Sequence, residues 1–145
     1  EGGVLVVLGD ASAIGGVGLD RRSEKTRSLP GALVRATVDP RPLLTAGYGT
    51  SEAPAELAFP ISGDGFLKAK AEGGSFVRVA EKGMFLHGWS WGAESDSALS
   101  GAVLVHDEPL GQGHIVYFET DPTERALYPG LDRMLLNALL LLPGN

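Results

Sequence analysis

Residues 4–18 read VLVVLGDASAIGGVG: five apolar side chains in succession, a glycine, an acid, a serine, and then glycines at 15, 16 and 18. A half-solvated strand would alternate apolar and polar residues, so the unbroken run Val4–Leu8 predicts a strand buried on both faces of a sheet and favours an α/β arrangement. A strand that ends in a glycine-rich turn can cradle a phosphate or present a nucleophile. The phosphate reading fails on spacing, because Gly9, Gly15, Gly16 and Gly18 fit no G-x-G-x-x-G register and no Lys-Ser/Thr pair follows. The nucleophile would be Ser12, but Gly9-Asp10-Ala11-Ser12-Ala13 is not a G-x-S-x-G elbow. A tight strand exit at Gly9 and a pliable connection through Gly15–Gly18 account for the glycines.

Working outward, the three residues before this run, Glu1-Gly2-Gly3, look like a helix C-terminus handing over to a strand, which predicts that an upstream helix precedes the chain. Residues 11–30 are polar and glycine-rich and read as a long loop. Ala32–Val38 alternates and predicts a strand with one wetter face, closed by Asp39-Pro40 and Arg41-Pro42. Leu43–Ala46 suits one helical turn. Leu57–Ile61, Phe66–Lys70 and Phe76–Ala80 are short candidate strands that suggest a meander. Ala102–Asp107 and His114–Thr120 flank the turn-rich segment 108–113 and predict an antiparallel hairpin. After Asp121-Pro122, the spacing of Leu131, Met134, Leu135, Ala138, Leu139 and Leu142 predicts an amphipathic helix over 129–141, with Pro129 in its first turn and Pro143-Gly144 closing it.

A chain of 145 residues with 43% apolar content is long enough to bury a core as one domain. Eighteen acids against twelve bases give a net charge of −6; a phosphate backbone rewards clustered positive charge, so nucleic acid is not an expected partner. The absence of cysteine removes disulfides, thiolate metal sites and cysteine nucleophiles. The longest apolar stretch, Met134–Leu142, is interrupted by Asn137 and too short to span a bilayer, so no membrane partner is expected.

Three histidines, His87, His106 and His114, have no short spacing among them and make a poor metal set. His106-Asp107-Glu108 reads as the solvated end of a strand entering a turn. Neither His106 nor His114 falls in a loop beside the end of the first strand, where a base for Ser12 would have to sit. Trp89 and Trp91, two apart in His87-Gly-Trp-Ser-Trp-Gly92, point the same way if extended. Such a pair can form a platform for a sugar or peptide, but packing at a core edge is the favoured reading.

Taken in order, GGVLVVLG, DPRPLLTAGYG, HGWSWG, SGAVLVHDEPLGQGHIVYFETDPTERA and LDRMLLNALLLL resemble the C-terminal half of a class I glutamine amidotransferase-like domain, of the kind appended to secreted zinc carboxypeptidases of the carboxypeptidase A-like family. The resemblance covers nearly the whole chain. It implies a flavodoxin-like doubly wound sheet, with an antiparallel hairpin near the C-terminus and a C-terminal amphipathic helix, in a single partial domain (1–145) whose first strands lie upstream. In active amidotransferases the turn after the first apolar run carries a cysteine, and the last strand ends in His-Pro-Glu. This chain has Leu8-Gly9-Asp10 and Asp121-Pro122-Thr123 there, so the resemblance implies a fold kept without its Cys-His-Glu chemistry.

The resemblance therefore implies a non-catalytic accessory domain of a larger zinc carboxypeptidase-like protein, secreted or periplasmic, that packs against the upstream remainder of its own chain. It implies no cofactor in this segment, because the zinc ligands of such peptidases belong to a separate catalytic domain. A vestigial ligand site beyond the carboxyl ends of the strands would use Asp10, Ser12, Asp121, Thr123 and Arg125. Two alternatives remain from the residues themselves: a divergent serine hydrolase acting through Ser12, and a carbohydrate- or peptide-binding module acting through Trp89 and Trp91.

Overall fold

The computed structural model describes residues 2–9, 19–21, 27–40, 42–63, 66–69, 74–124 and 127–143. Within them the chain is a mixed α/β structure. Its strands are β1 (Val4–Leu8), β2 (Leu19–Arg21), β3 (Leu29–Val38), β4 (Glu56–Gly63), β5 (Leu67–Ala69), β6 (Ser75–Val79), β7 (Phe85–Gly88), β8 (Val103–Leu110) and β9 (Gly113–Phe118). Two helices, α1 (Ala93–Leu99) and α2 (Pro129–Leu140), and a 3-10 turn at Leu43–Thr45 complete the described elements.

All nine strands join one sheet, whose main path runs β1-β9-β8-β6-β3-β4. The pair β1/β9 is parallel, with Val4 opposite His114 and Leu8 opposite Phe118. The remaining pairs are antiparallel. The expected hairpin is present as β8/β9, but its loop is only Gly111-Gln112: Leu110 pairs with Gly113 and Pro109 with His114. The strands continue through most of the segment read as turn, because a two-residue loop with Gly111 at φ 63° reverses the chain without splaying it.

The expected meander is not formed. None of β4, β5 and β6 pairs with another of the three; β4 and β6 take opposite edges of β3, and β5 pairs with β2 and β8. The ten-residue β3 stands between β4 and β6, pairing with β4 from Leu29 to Thr37 along one edge. Its second edge is shared, with β6 opposite Ala36–Val38 and β7 opposite Ala32–Val34. The segment read as one long loop contains β2 and the start of β3.

Period-two alternation divides the apolar residues between the two sides of the sheet. Val34, Phe59, Leu104, Val116 and Phe118 join the larger core cluster, to which the helices and the 3-10 turn contribute Leu44, Leu99, Leu131 and Met134. Tyr117, between Val116 and Phe118, turns to the other side and packs with Leu67 and Val103 in a smaller cluster. β1 departs from expectation. Val4 and Val6 pack on the larger cluster and Val7 on the smaller one, but Leu5 and Leu8 are 52% and 43% exposed. Among the described residues β1 pairs only with β9, so it is an edge strand rather than one buried on both faces.

α2 lies where its periodicity predicts, with Leu131, Met134 and Ala138 buried. Leu139, expected on the same face, is half exposed. Side-chain bonds fasten the helix to the 3-10 region, among them one from the Arg133 guanidinium to the carbonyl of Gly47 at 3.4 Å. The Asn137 amide donates to the carbonyls of Leu44 and Ala46, each at 3.0 Å, and the Tyr48 hydroxyl donates to the carbonyl of Gly130 at 2.7 Å. Burial raises the Tyr48 pKa above the ordinary phenol value, so this donor keeps its proton. The polar break that Asn137 makes in an apolar helix is thus its attachment point. Asn137→Ala removes both donors from part-buried carbonyls and is expected to cost about 1–3 kcal/mol of unfolding free energy. Urea denaturation should show a lower midpoint at unchanged slope.

Candidate functional site

The β8/β9 hairpin carries two imidazole–carboxylate pairs, and neighbouring positions on β8 send them to opposite sides of the sheet. His106, directly across from Ser75 of β6, has Nδ1 2.8 Å from the Ser75 hydroxyl and Nε2 3.3 Å from a carboxylate oxygen of Glu108. The next residue, Asp107, meets His114 Nδ1 at 2.9 Å. The sequence reading of His106-Asp107-Glu108 as a solvated strand end is therefore corrected. His106 and Asp107 are buried, and they can be so because each has a hydrogen-bond partner.

The His106 ring fits only because of Gly74. A Cβ at Gly74 would come within 2.7 Å of its Cε1 and 2.8 Å of the Asp107 carbonyl, and Gly74 is at φ 78°. Burial lowers the pKa of His106 below the usual imidazole value, against the raising effects of the Glu108 bond and of the Glu108 and Asp107 charges. The neutral tautomer with the proton on Nε2 accepts from Ser75 and donates to Glu108. Serine, imidazole and carboxylate stand in the order of a proton relay. Only 4% of the His106 side chain is exposed, however, so the arrangement fastens three strand positions together.

A second locus lies at the carboxyl ends of the parallel pair, where the Gly9 N–H donates to the carbonyl of Phe118. Past β9 the chain turns sharply. The Asp121 carboxylate accepts from both the backbone N–H of Thr123, at 2.8 Å, and its hydroxyl, at 2.7 Å. These bonds hold the exposed carboxyl below the ordinary carboxylate range. Asp121 and Thr123, two of the residues expected at a vestigial ligand site, serve each other in an Asx turn. Asp10, Ser12 and Arg125 lie outside the described residues.

That turn also borders a cleft of about 300 Å³, to which Thr120, Glu124 and Tyr128 contribute. Across from them the walls come from the first half of β3, from β4 through Pro60, Ile61 and Ser62, and from the end of β7 through His87 and Gly88. The sheet is irregular here. β3 shifts register against β4 between Leu29 and Ala32, and against β7 between Leu33 and Val34. Such bulges commonly mark sites because they re-aim side chains and part the strands. Gly88, at φ 100°, packs so close to β3 that a Cβ would meet the Ala32 Cα at 2.7 Å.

Trp89 and Trp91 follow β7 directly. Their rings meet edge to face with centroids 5.7 Å apart, but Trp89 is 57% and Trp91 37% exposed. The expected packing at a core edge is corrected: the pair stands at the surface. Trp91 is held by its indole N–H donating to the Ser28 carbonyl at 3.3 Å, its backbone N–H donating to the Ser95 hydroxyl at 2.9 Å, and Arg27 over its ring at 5.2 Å. Trp89 rests its ring against that anchored one. Among the described residues no group of three or more His, Cys, Asp and Glu side chains is placed to hold a metal, and no helix is long and apolar enough to cross a membrane.

Sequence reasoning missed Ser75, His106 and Glu108 as a unit. Cross-strand pairing of β6 with β8 joins them, and no spacing along the chain encodes it. Their burial has a pH signature. Because the folded pKa of His106 lies below the unfolded value of about 6.5, the unfolded chain binds more protons as pH falls through that value. His106 therefore costs nothing above about pH 6.5 and destabilises the fold progressively below it. Urea midpoints should fall between about pH 7.5 and 5.5, and His106→Gln should flatten that slope; an equal slope in both proteins would remove His106 as its cause. Comparison with models of protein families, with curated proteins and with solved structures gave no match.

Proposed function

We infer that this chain is a non-catalytic accessory domain, similar to a class I glutamine amidotransferase half-domain without its Cys-His-Glu residues, within a larger zinc carboxypeptidase-like protein. In this reading the protein is secreted or periplasmic, and zinc belongs to its separate catalytic domain. The domain packs against another segment of the same polypeptide.

The observation that carries the reading is β1. Its five residues are apolar on both faces, as in interior strands of a sheet covered on both sides. Yet among the described residues it occupies an edge, with Leu5 and Leu8 exposed. An exposed apolar edge of this kind is a template for further pairing, and native proteins cover or charge it. β1 carries no charge. The outer side of α2 adds Leu136, Leu139 and Leu140 to the exposed apolar surface. The occupant that fits both is a strand continuing the sheet beyond β1 with a layer packed on its face, which is the arrangement of a flavodoxin-like sheet. The parallel pairing of β1 with β9 supports the same topology, since parallel neighbours belong to layered α/β sheets.

The test is dye binding and sedimentation of the 145-residue chain. It should bind an apolar-surface dye and self-associate, and the double variant Leu5→Glu/Leu8→Glu should reduce both. Each substitution falls on an exposed position, so stability should change by no more than about 0.5 kcal/mol per site. A wild-type chain that is monomeric, cooperatively folded and dye-silent would sink the reading.

A further inference from the structure

We propose that the cleft between the start of β3, the end of β7 and the turn after β9 binds a saccharide, with Trp89 as its apolar wall and Glu124 as its principal hydroxyl acceptor. The proposal is independent of the packing role of β1, because no residue of β1 lines the cleft.

The wall follows from strand pairing. Gly88 lies opposite Ala32, and β7 runs antiparallel to β3, so the chain after Gly88 travels toward the beginning of β3. The bond from the Trp91 indole to Ser28 fixes that direction. Gly31, between Ser28 and Ala32, lines the cleft together with Gly88. Trp89 directly follows the cleft-lining Gly88, and in the proposal its ring forms the apolar wall at that end. With Trp91 bonded to backbone and capped by Arg27, the more exposed Trp89 is the ring with a surface to offer.

The ligand class follows from the lining. Ser62, Thr120 and Tyr128 bring hydroxyls, His87 an imidazole and Glu124 a carboxylate, over apolar Ala32, Pro60 and Ile61. Among the described lining residues Glu124 is the only Asp, Glu, Lys or Arg, and in a chain of net charge −6 this disfavours phosphates and other anions. A peptide would normally add to a free strand edge, but Ala32 is already paired with Ile61 on one side and Gly88 on the other. A neutral sugar has what remains: adjacent hydroxyls for a carboxylate with several lone pairs, and a C–H face for an aromatic ring.

The experiment titrates the 145-residue chain with cellotriose, maltotriose and triacetylchitotriose, and in parallel with trialanine and trilysine, by calorimetry and tryptophan emission. At least one trisaccharide is expected to bind saturably and shift the emission. Glu124→Gln should weaken that binding about tenfold, the effect of losing a charge-assisted hydrogen bond. Trp89→Ala should weaken it at least as much and abolish the emission change. Both positions are exposed, so matching urea midpoints will show the variants folded, and Glu81→Gln on a separate exposed bend serves as the control. The proposal is overturned if no trisaccharide saturates, if Glu124→Gln binds as wild type, or if either tripeptide saturates while the sugars do not.

Discussion

The register of the β8/β9 hairpin is the constraint on which the remainder depends. A two-residue turn sets Leu110 against Gly113 and carries Val105 to Phe118, so β9 presents Val116 and Phe118 to the larger core and Tyr117 to the smaller one. A slip of one residue would exchange those faces. It would also part Asp107 from His114. β1 then takes its own register from β9, so its place relative to β8 inherits the geometry of Gly111-Gln112.

The Asp107–His114 pair reinforces this register, and the Ser75–His106 bond reinforces that of β6 on β8. Each imidazole on the hairpin is satisfied at one alignment of the strands, and a buried group left without its partner costs about 1–3 kcal/mol. Leucines and valines of similar size tolerate small shifts, whereas Ser75, His106 and Glu108 do not. The two kinds of interaction divide the labour: apolar burial makes the sheet stable, and the polar pairs make its alignment unique.

Much of this was legible in the sequence where a pattern is local. The apolar run of β1, the two halves of the hairpin, the 3-10 turn at Leu43–Thr45 and the helical spacing of α2 each follow from residues within one element. The rest depends on partners distant along the chain. α1 is seven residues long, and its buried Ser95, Ala98 and Leu99 are too few to establish a period. β7 is four residues, Phe85–Gly88, whose place is set by the open stretch of β3. The exposure of Leu5 and Leu8 cannot be read from side chains that are apolar whether covered or bare. At the candidate site, the indoles were visible from spacing, but their exposure was not, and the place of the preceding Gly88 in the cleft comes from the pairing of β7 with β3. Asp121 and Thr123 were legible as a position, and their mutual bonding was not.

The parallel union of β1 with β9 has a consequence for the ribosome. His114 is made about 110 residues after its partner Val4, so at about 5–20 residues per second the strand waits roughly 5–20 s for its neighbour. Through that interval an uncharged Val-Leu-Val-Val-Leu segment stands without a mate, in the form that holdase chaperones recognise and that nascent chains share when they aggregate. Of the described strands β1 is made first and its described partner β9 last, so this parallel pair spans the longest wait in the sheet.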